Sequence, residues 1–347
     1  MNDKKILTGG ENSTNYQIEN VTVNNKLSYT DVKAIALDIF ESNFYRLRGV
    51  AKETAEQRAK EITEKIIEEF AEKNPEGLKA AENPDFQYSM FQVQKEFARC
   101  GDKELGDILV DILIERSKED QRNLRQIVLN EALSVAPKLS STQLDLLACC
   151  FTSAYTKSLL IRNIEDLQKH IESEILIFTD ALEDKGANWA HLEYTGCCAI
   201  RTGSRDLNSI FLKTYKGLFC KGFTKAKVDE IIPPTINVTS ILHSCLHDDT
   251  LLQLNAIDDD VAKSSCEKLN LTENEVTQLL TLNNQHLMSK DEVERFITSI
   301  CPGYERFLQA AKASRLLNVE LTSVGIAIAH AHLRKNFNLS AELSIWL

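Results

Sequence analysis

Lys103-Glu104-Leu105-Gly106-Asp107-Ile108-Leu109-Val110-Asp111-Ile112-Leu113-Ile114-Glu115-Arg116-Ser117 places Leu105, Ile108, Leu109, Ile112 and Leu113 three and four residues apart. That is the period at which side chains line one face of an α-helix. The flanking sequence repeats the pattern. Asp85 to Arg99 carries Phe86, Met90, Phe91, Val93, Phe97 and Ala98; Asp120 to Val135 runs to Pro137, which stops it; Asn163 to Leu182 closes the set. Between the last two, Ser140-Ser141-Thr142 offers N-caps to a helix through Leu144, Leu147, Ala148, Phe151 and Tyr155. Short links between such segments make antiparallel neighbours. Residues 84–185 are therefore expected to form a central helical domain, and the fold class is mainly α: a helical bundle or stacked antiparallel helices. No fixed-period repeat marks a solenoid.

Upstream, residues 28–83 predict a long helix or helix pair. Ser28 or Thr30 caps it, and Asp31 suits the positive end of the dipole. Val32, Ala36, Ile39, Phe40, Leu47, Ala51, Ala55, Ala59, Ile62, Ile66 and Phe70 recur at helical spacing as far as Asn74-Pro75, and Gly49 is the expected break. Glu and Lys crowd the other face from Glu53 to Glu72, which suits either a stalk for assembly or an ordinary amphipathic helix. Residues 1–27 differ from all that follows. Tyr16 and Ile18, then Val21 and Val23, alternate with polar residues and slip by one at Asn20, as in a β-forming N-terminal arm. So short a strand pair is not stable alone in water. It pairs with another copy, docks on the body or stays an unpaired arm; in the first case those four residues are the oligomerisation site.

Downstream, residues 186–288 predict a mixed helical region. Glycines at 186, 196, 203, 217 and 222 shorten the helices, and Pro233-Pro234 precedes a brief strand or extended link, Thr235–Thr239. Asp258-Asp259-Asp260 reads as a helix start. Residues 289–347 form the last unit, in which Ser289 and Glu292 have capping-box spacing.

The chain has 347 residues, with 40 Lys plus Arg against 51 Asp plus Glu, a net charge of −11. Polyanions are repelled by such a field, so nucleic acid is not an expected partner. Six Pro and 13 Gly suit long helices and exclude collagen-like and all-β classes. No apolar run reaches the ~20 residues that cross a bilayer. No charged-then-apolar leader opens the sequence, so the nine cysteines are expected to be reduced and the location cytoplasmic. The triplets at Asn12, Asn20 and Asn237 then carry no glycan.

Several residue groups are candidate sites. His243 and His247, four apart, would share a helix face and bind a metal with Asp248. Cys197 and Cys198, with His191 nearby, offer an activated thiolate if a base lies within hydrogen-bond reach. Cys149-Cys150 sits in a plainly apolar helix, which favours packing for both cysteine pairs. Arg201-Thr202-Gly203-Ser204-Arg205-Asp206 precedes a helix start and offers either phosphate binding or a capped turn with surface arginines. His330 and His332, two apart, diverge on a helix. No cofactor is expected.

Residues 304–347 carry the most pattern. A helix from Tyr304 to Leu317 leads into a short strand at 318–321, a capping Thr322, a helix to Leu333, and alternation over Ala341–Leu347 that predicts a strand. This order resembles the tail of a winged-helix module, making the unit α+β. Its Leu321-Thr322-X-X-Gly325 step resembles one near the end of abortive-infection alpha-type proteins of bacterial defence. The Gly9-Gly10-Glu11-Asn12-Ser13-Thr14-Asn15-Tyr16-Gln17-Ile18 run is similar to strand-forming prefixes of uncharacterised bacterial proteins, some linked to phage defence. Residues 289–347 hold seven Lys or Arg and six Asp or Glu, so a winged helix here would contact protein more readily than DNA. The leading expectation is a self-assembling interaction, scaffold or sensor protein of phage defence, rather than an enzyme. Its partners would be copies of itself or another protein. The alternatives are a metal- or cysteine-dependent enzyme and a DNA-binding regulator.

Overall fold

The protein is described by a computed structural model over residues 28–43, 48–183, 187–337 and 339–347. Tyr16, Ile18, Val21 and Val23 lie outside these residues. Sixteen α-helices and two antiparallel two-stranded sheets occur among the described residues, so the chain is mainly α. None of the helices is long and apolar enough to cross a membrane. Two compact units divide between Gly106 and Asp107.

In the first unit, α1 (Tyr29–Asn43), α2 (Val50–Lys73) and α3 (Pro84–Cys100) pack on one another. Gly49 makes the break before α2 with φ +58°, a conformation that costs other residues. Ala55, Ala59, Ile62, Ile66 and Phe70 form the buried stripe of α2, and Phe70 meets Phe86 edge-on at 5.9 Å. One buried polar link joins all three helices: Gln94 Nε2 donates to Thr63 Oγ1 at 2.8 Å and to Ala36 O at 3.1 Å. Helix α4 (Lys103–Ser117) carries the division between the units within it.

The second unit continues with α5 (Leu124–Val135), α6 (Ser141–Ala154), α7 (Ile164–Glu174), α8 (Thr179–Glu183), α9 (Asn188–Tyr194) and β1 (Cys198–Ile200). Next come α10 (Leu207–Thr214), α11 (Lys225–Asp229), β2 (Leu242–Ser244), β3 (Leu252–Leu254), α12 (Asp259–Glu267) and α13 (Glu273–Gln285). The remaining elements are α14 (Lys290–Ile300), α15 (Gly303–Ala313), β4 (Val319–Leu321) and α16 (Ser323–Asn336). Helix α6 begins with a capping box of Ser140 and Gln143 and buries Gln143, Leu144 and every residue from Leu146 to Ser153. It packs against α16, buried from Gly325 to Leu333, which also packs on α5.

A buried charge network supports this core. Glu115 of α4 accepts from Arg334 Nη1 at 2.6 Å, Lys118 Nζ at 2.8 Å and Arg125 Nη2 at 2.9 Å. A second apolar cluster, including Phe223, Leu242, Leu254, Ala262 and Leu279, joins β2 and β3 to α12 and α13.

Three sequence expectations need correction. Residues 341–347 do not form a strand: Leu343–Ile345 is a 3-10 turn that buries Leu343. Strand β4 pairs instead with β1, in the register Cys198↔Leu321, Ala199↔Glu320 and Ile200↔Val319. The helix expected from Asp120 starts at Leu124, where Asn123 accepts from Gln126 N. The helix expected from Asn163 to Leu182 is broken at Ile175 by a 3-10 turn, Leu176–Phe178.

Candidate ligand-binding cavity

Helix α6 ends at Ala154, and the chain leaves it through a loop that carries apolar residues outward. Leu159 and Leu160 are 81% and 77% exposed. The loop is fixed at its base, where Tyr215 Oη accepts from Ser158 N at 2.9 Å. It borders a cavity of about 600 Å³ in the second unit, a size suited to a small-molecule ligand. Thr152, Tyr155 and Thr156 come from the end of α6, and Lys157 to Leu160 from the loop. His170 and Glu174 of α7, with Leu333 and Phe337 from α16 and the residue after it, complete the helical walls. The 339–347 segment closes the remaining side with Leu339, Ser340, Ala341, Ile345 and Trp346.

Side-chain anchors hold that segment. Trp346 Nε1 donates to Tyr155 O at 2.9 Å, and its ring lies 4.9 Å from Phe151. Nε2 of His330 lies 2.8 Å from Ala341 O, and Lys118 Nζ reaches Glu342 at 3.3 Å. Tyr155 links the wall to the sheet: its Oη accepts from Leu321 N and from Arg205 Nη2, each at 2.8 Å.

The cavity's polar groups are few. Lys157 Nζ donates to Asp258, the N-cap of α12. Asp258 is held below the ordinary carboxylate range: burial opposes this, but Lys157 and the backbone N–H of Val261 outweigh it. His170, 7% exposed, has Nδ1 at 3.1 Å from Glu174 Oε2. The direction is not that of a hydrogen bond, and among the described residues the buried Nδ1 has no hydrogen-bond partner.

The residues singled out in the sequence lie elsewhere. Cys197 and Cys198 are buried, and burial pushes their thiols up to about 11 and about 12. An activated cysteine requires the opposite shift. His191 Nδ1 lies 2.9 Å from Gln143 Nε2, and the group beside Cys197 Sγ is Thr195 Oγ1 at 3.6 Å. The helix that would align His243 with His247 is absent: His243 is in β2 and His247 in the turn after it. Nδ1 of His243 lies 2.6 Å from Ser244 O, His247 Nε2 lies 2.8 Å from Leu218 O, and Asp248 caps its own turn through Thr250. Among the described residues no three His, Cys, Asp or Glu side chains are grouped to hold a metal ion.

Arg201 is paired with Glu320 at 2.7 Å and Arg205 lies over the Tyr155 ring, while Asp206 caps α10. The 201–206 segment is thus a capped turn. His330 and His332 are buried on different contacts, the second 2.9 Å from Asp145 Oδ1. Sequence reasoning missed the cavity because its walls are distant in sequence; its one local trace is the Leu159-Leu160 pair in a polar loop.

The fold and cavity define a mainly α-helical protein with a ligand-sized hollow beside an exposed apolar loop. A protein-family model carrying the description ":-like" matches residues 27–347, and the chain belongs to that family; the description names no activity. No curated protein matches the chain. No solved structure matches it.

Proposed function

We propose that this chain is a ligand-responsive sensor or interaction protein, in which a compact, largely apolar molecule occupies the cavity beside α6, α7 and α16. The observation that carries the reading is the cavity of about 600 Å³ with a buried, incompletely bonded His170 in its wall. Ligand sites combine apolar walls with a few polar groups in this way. Residues 339–347 form a wall through side-chain anchors rather than a sheet, so a bound molecule acts on a segment that can shift without unpairing strands. The exposed Leu159 and Leu160 would present the result to a partner.

Self-assembly through Tyr16, Ile18, Val21 and Val23 is the second half of this proposal. Bacterial defence is its biological context, implied by the resemblances of the C-terminal step and of the run over residues 9–18. The enzyme alternatives gain no support from neutral buried thiols or from histidines engaged with backbone carbonyls.

Titration with the neutral fluorophore N-phenylnaphthylamine tests the site. Its emission should rise to saturation at one equivalent per chain, and Thr156→Trp, which adds bulk to the cavity lining, should abolish the rise. Absence of enhancement, or identical enhancement in Thr156→Trp at retained helical content, would remove the cavity as the site.

A further inference from the structure

The charged groups around the cavity are not equivalent. Lys157 is neutralised by Asp258, which is fixed in turn by accepting from Val261 N at 2.9 Å. Glu174 is half-exposed, and the His170 ring approaches it at 3.1 Å without hydrogen-bond alignment. Two of the wall's hydroxyls are already committed as donors: Thr152 Oγ1 donates to Ala148 O, and Thr156 Oγ1 to Thr152 O, each at 2.8 Å. What these hydroxyls have left to offer is lone pairs. The cavity wall thus carries one weakly compensated carboxylate, Glu174, set among Phe337, Trp346 and aliphatic side chains.

Resting on the reading of this cavity as the ligand site, we propose that it takes an apolar amine. The ammonium would donate to Glu174. The apolar body would lie against Phe337 and Trp346. An apolar carboxylate would have to share Lys157 with Asp258, which already neutralises it.

Calorimetry on the intact chain at neutral pH compares three probes of one shape: naphthylmethylamine, naphthylmethanol and naphthoic acid. The amine should bind about tenfold more tightly than the alcohol, as a charge-assisted hydrogen bond adds to equal apolar burial. The acid should bind most weakly. Glu174→Gln should reduce the amine to the alcohol's affinity and leave the alcohol unchanged, while Lys157→Met should preserve the order. If the alcohol binds but the amine gains nothing over it, or the acid binds best, the ligand class is overturned and the cavity reading stands. An amine preference that survives Glu174→Gln also overturns the class. If none of the three binds, both proposals fall.

Discussion

At the scale of single residues, Gly325 explains the step that resembles abortive-infection proteins. A Cβ at this position would lie 1.9 Å from Cys197 O, so only glycine lets α16 approach the chain before β1. Thr322 caps α16 through Gly325 N at 3.1 Å and donates from Oγ1 to Gly196 O at 2.6 Å. Leu321 is buried in β4. Each residue of the step has a packing or capping role, and none needs a ligand. Gly325→Ala should cost about 3 kcal/mol in urea unfolding, since the obstacle is backbone rather than a movable side chain; a loss within error would show that α16 can retreat freely.

Glu115 gives a pH-dependent counterpart. Burial acts to raise its pKa, but hydrogen bonds from Lys118 and Arg334 outweigh burial and hold it below 4.5. A depressed folded pKa gives stability that is complete above the unfolded value and lost as pH falls through the folded value. Glu115→Ala should therefore cost about 3 kcal/mol at neutral pH, leaving Arg334 and Arg125 undercompensated. The gap to the parent should narrow below pH 4.5; a gap independent of pH would mean that packing, not charge, is what Glu115 supplies.

At the scale of elements, several starts and stops are legible in the sequence. Ser140, Ser289 and Thr322 cap helices where the sequence places them, and Asn74-Pro75 and Gly49 interrupt as expected. Each is a local event decided within one turn of chain. The strands were less legible because their partners are remote: Cys198–Ile200 gains its order from Val319–Leu321, far along the chain. Alternation in Ala341–Leu347 misleads because a three-residue turn also brings Leu343 and Trp346 to one side. The spacing of His243 and His247 matches a helix, yet Leu242–Ser244 pairs with Leu252–Leu254 instead. Helix α6 tests the local half of this contrast. Ser140 accepts from Gln143 N at 3.3 Å, and Gln143 returns a bond to Ser140 N at 3.0 Å. Ser140→Ala should cost about 1 kcal/mol by denaturant midpoint. Because Gln143 also meets His191, a loss several times larger would reveal that the cap positions α9 as well.

At the scale of the whole molecule, charge and the location of the cavity separate the remaining functions. A net charge of −11 repels phosphate, and prominent cations of the second unit are already paired: Arg306 with Asp180 and Glu183, Lys290 with Asp206, Lys221 with Glu292. Duplex DNA should give no gel shift at physiological salt and micromolar protein; a saturable shift would revive the DNA-binding alternative. Assembly calls for a different cut. The cavity is built from residues 152–174 and 333–346, all within the second unit. Tyr16, Ile18, Val21 and Val23 lie outside the described residues. If these four residues join copies, deletion of residues 1–27 should lower the mass found by light scattering while amine affinity stays within about twofold. An unchanged mass would end the assembly proposal alone. A lower mass accompanied by lost binding would mean that a neighbouring copy completes the site, and that the cavity works only in the assembled protein.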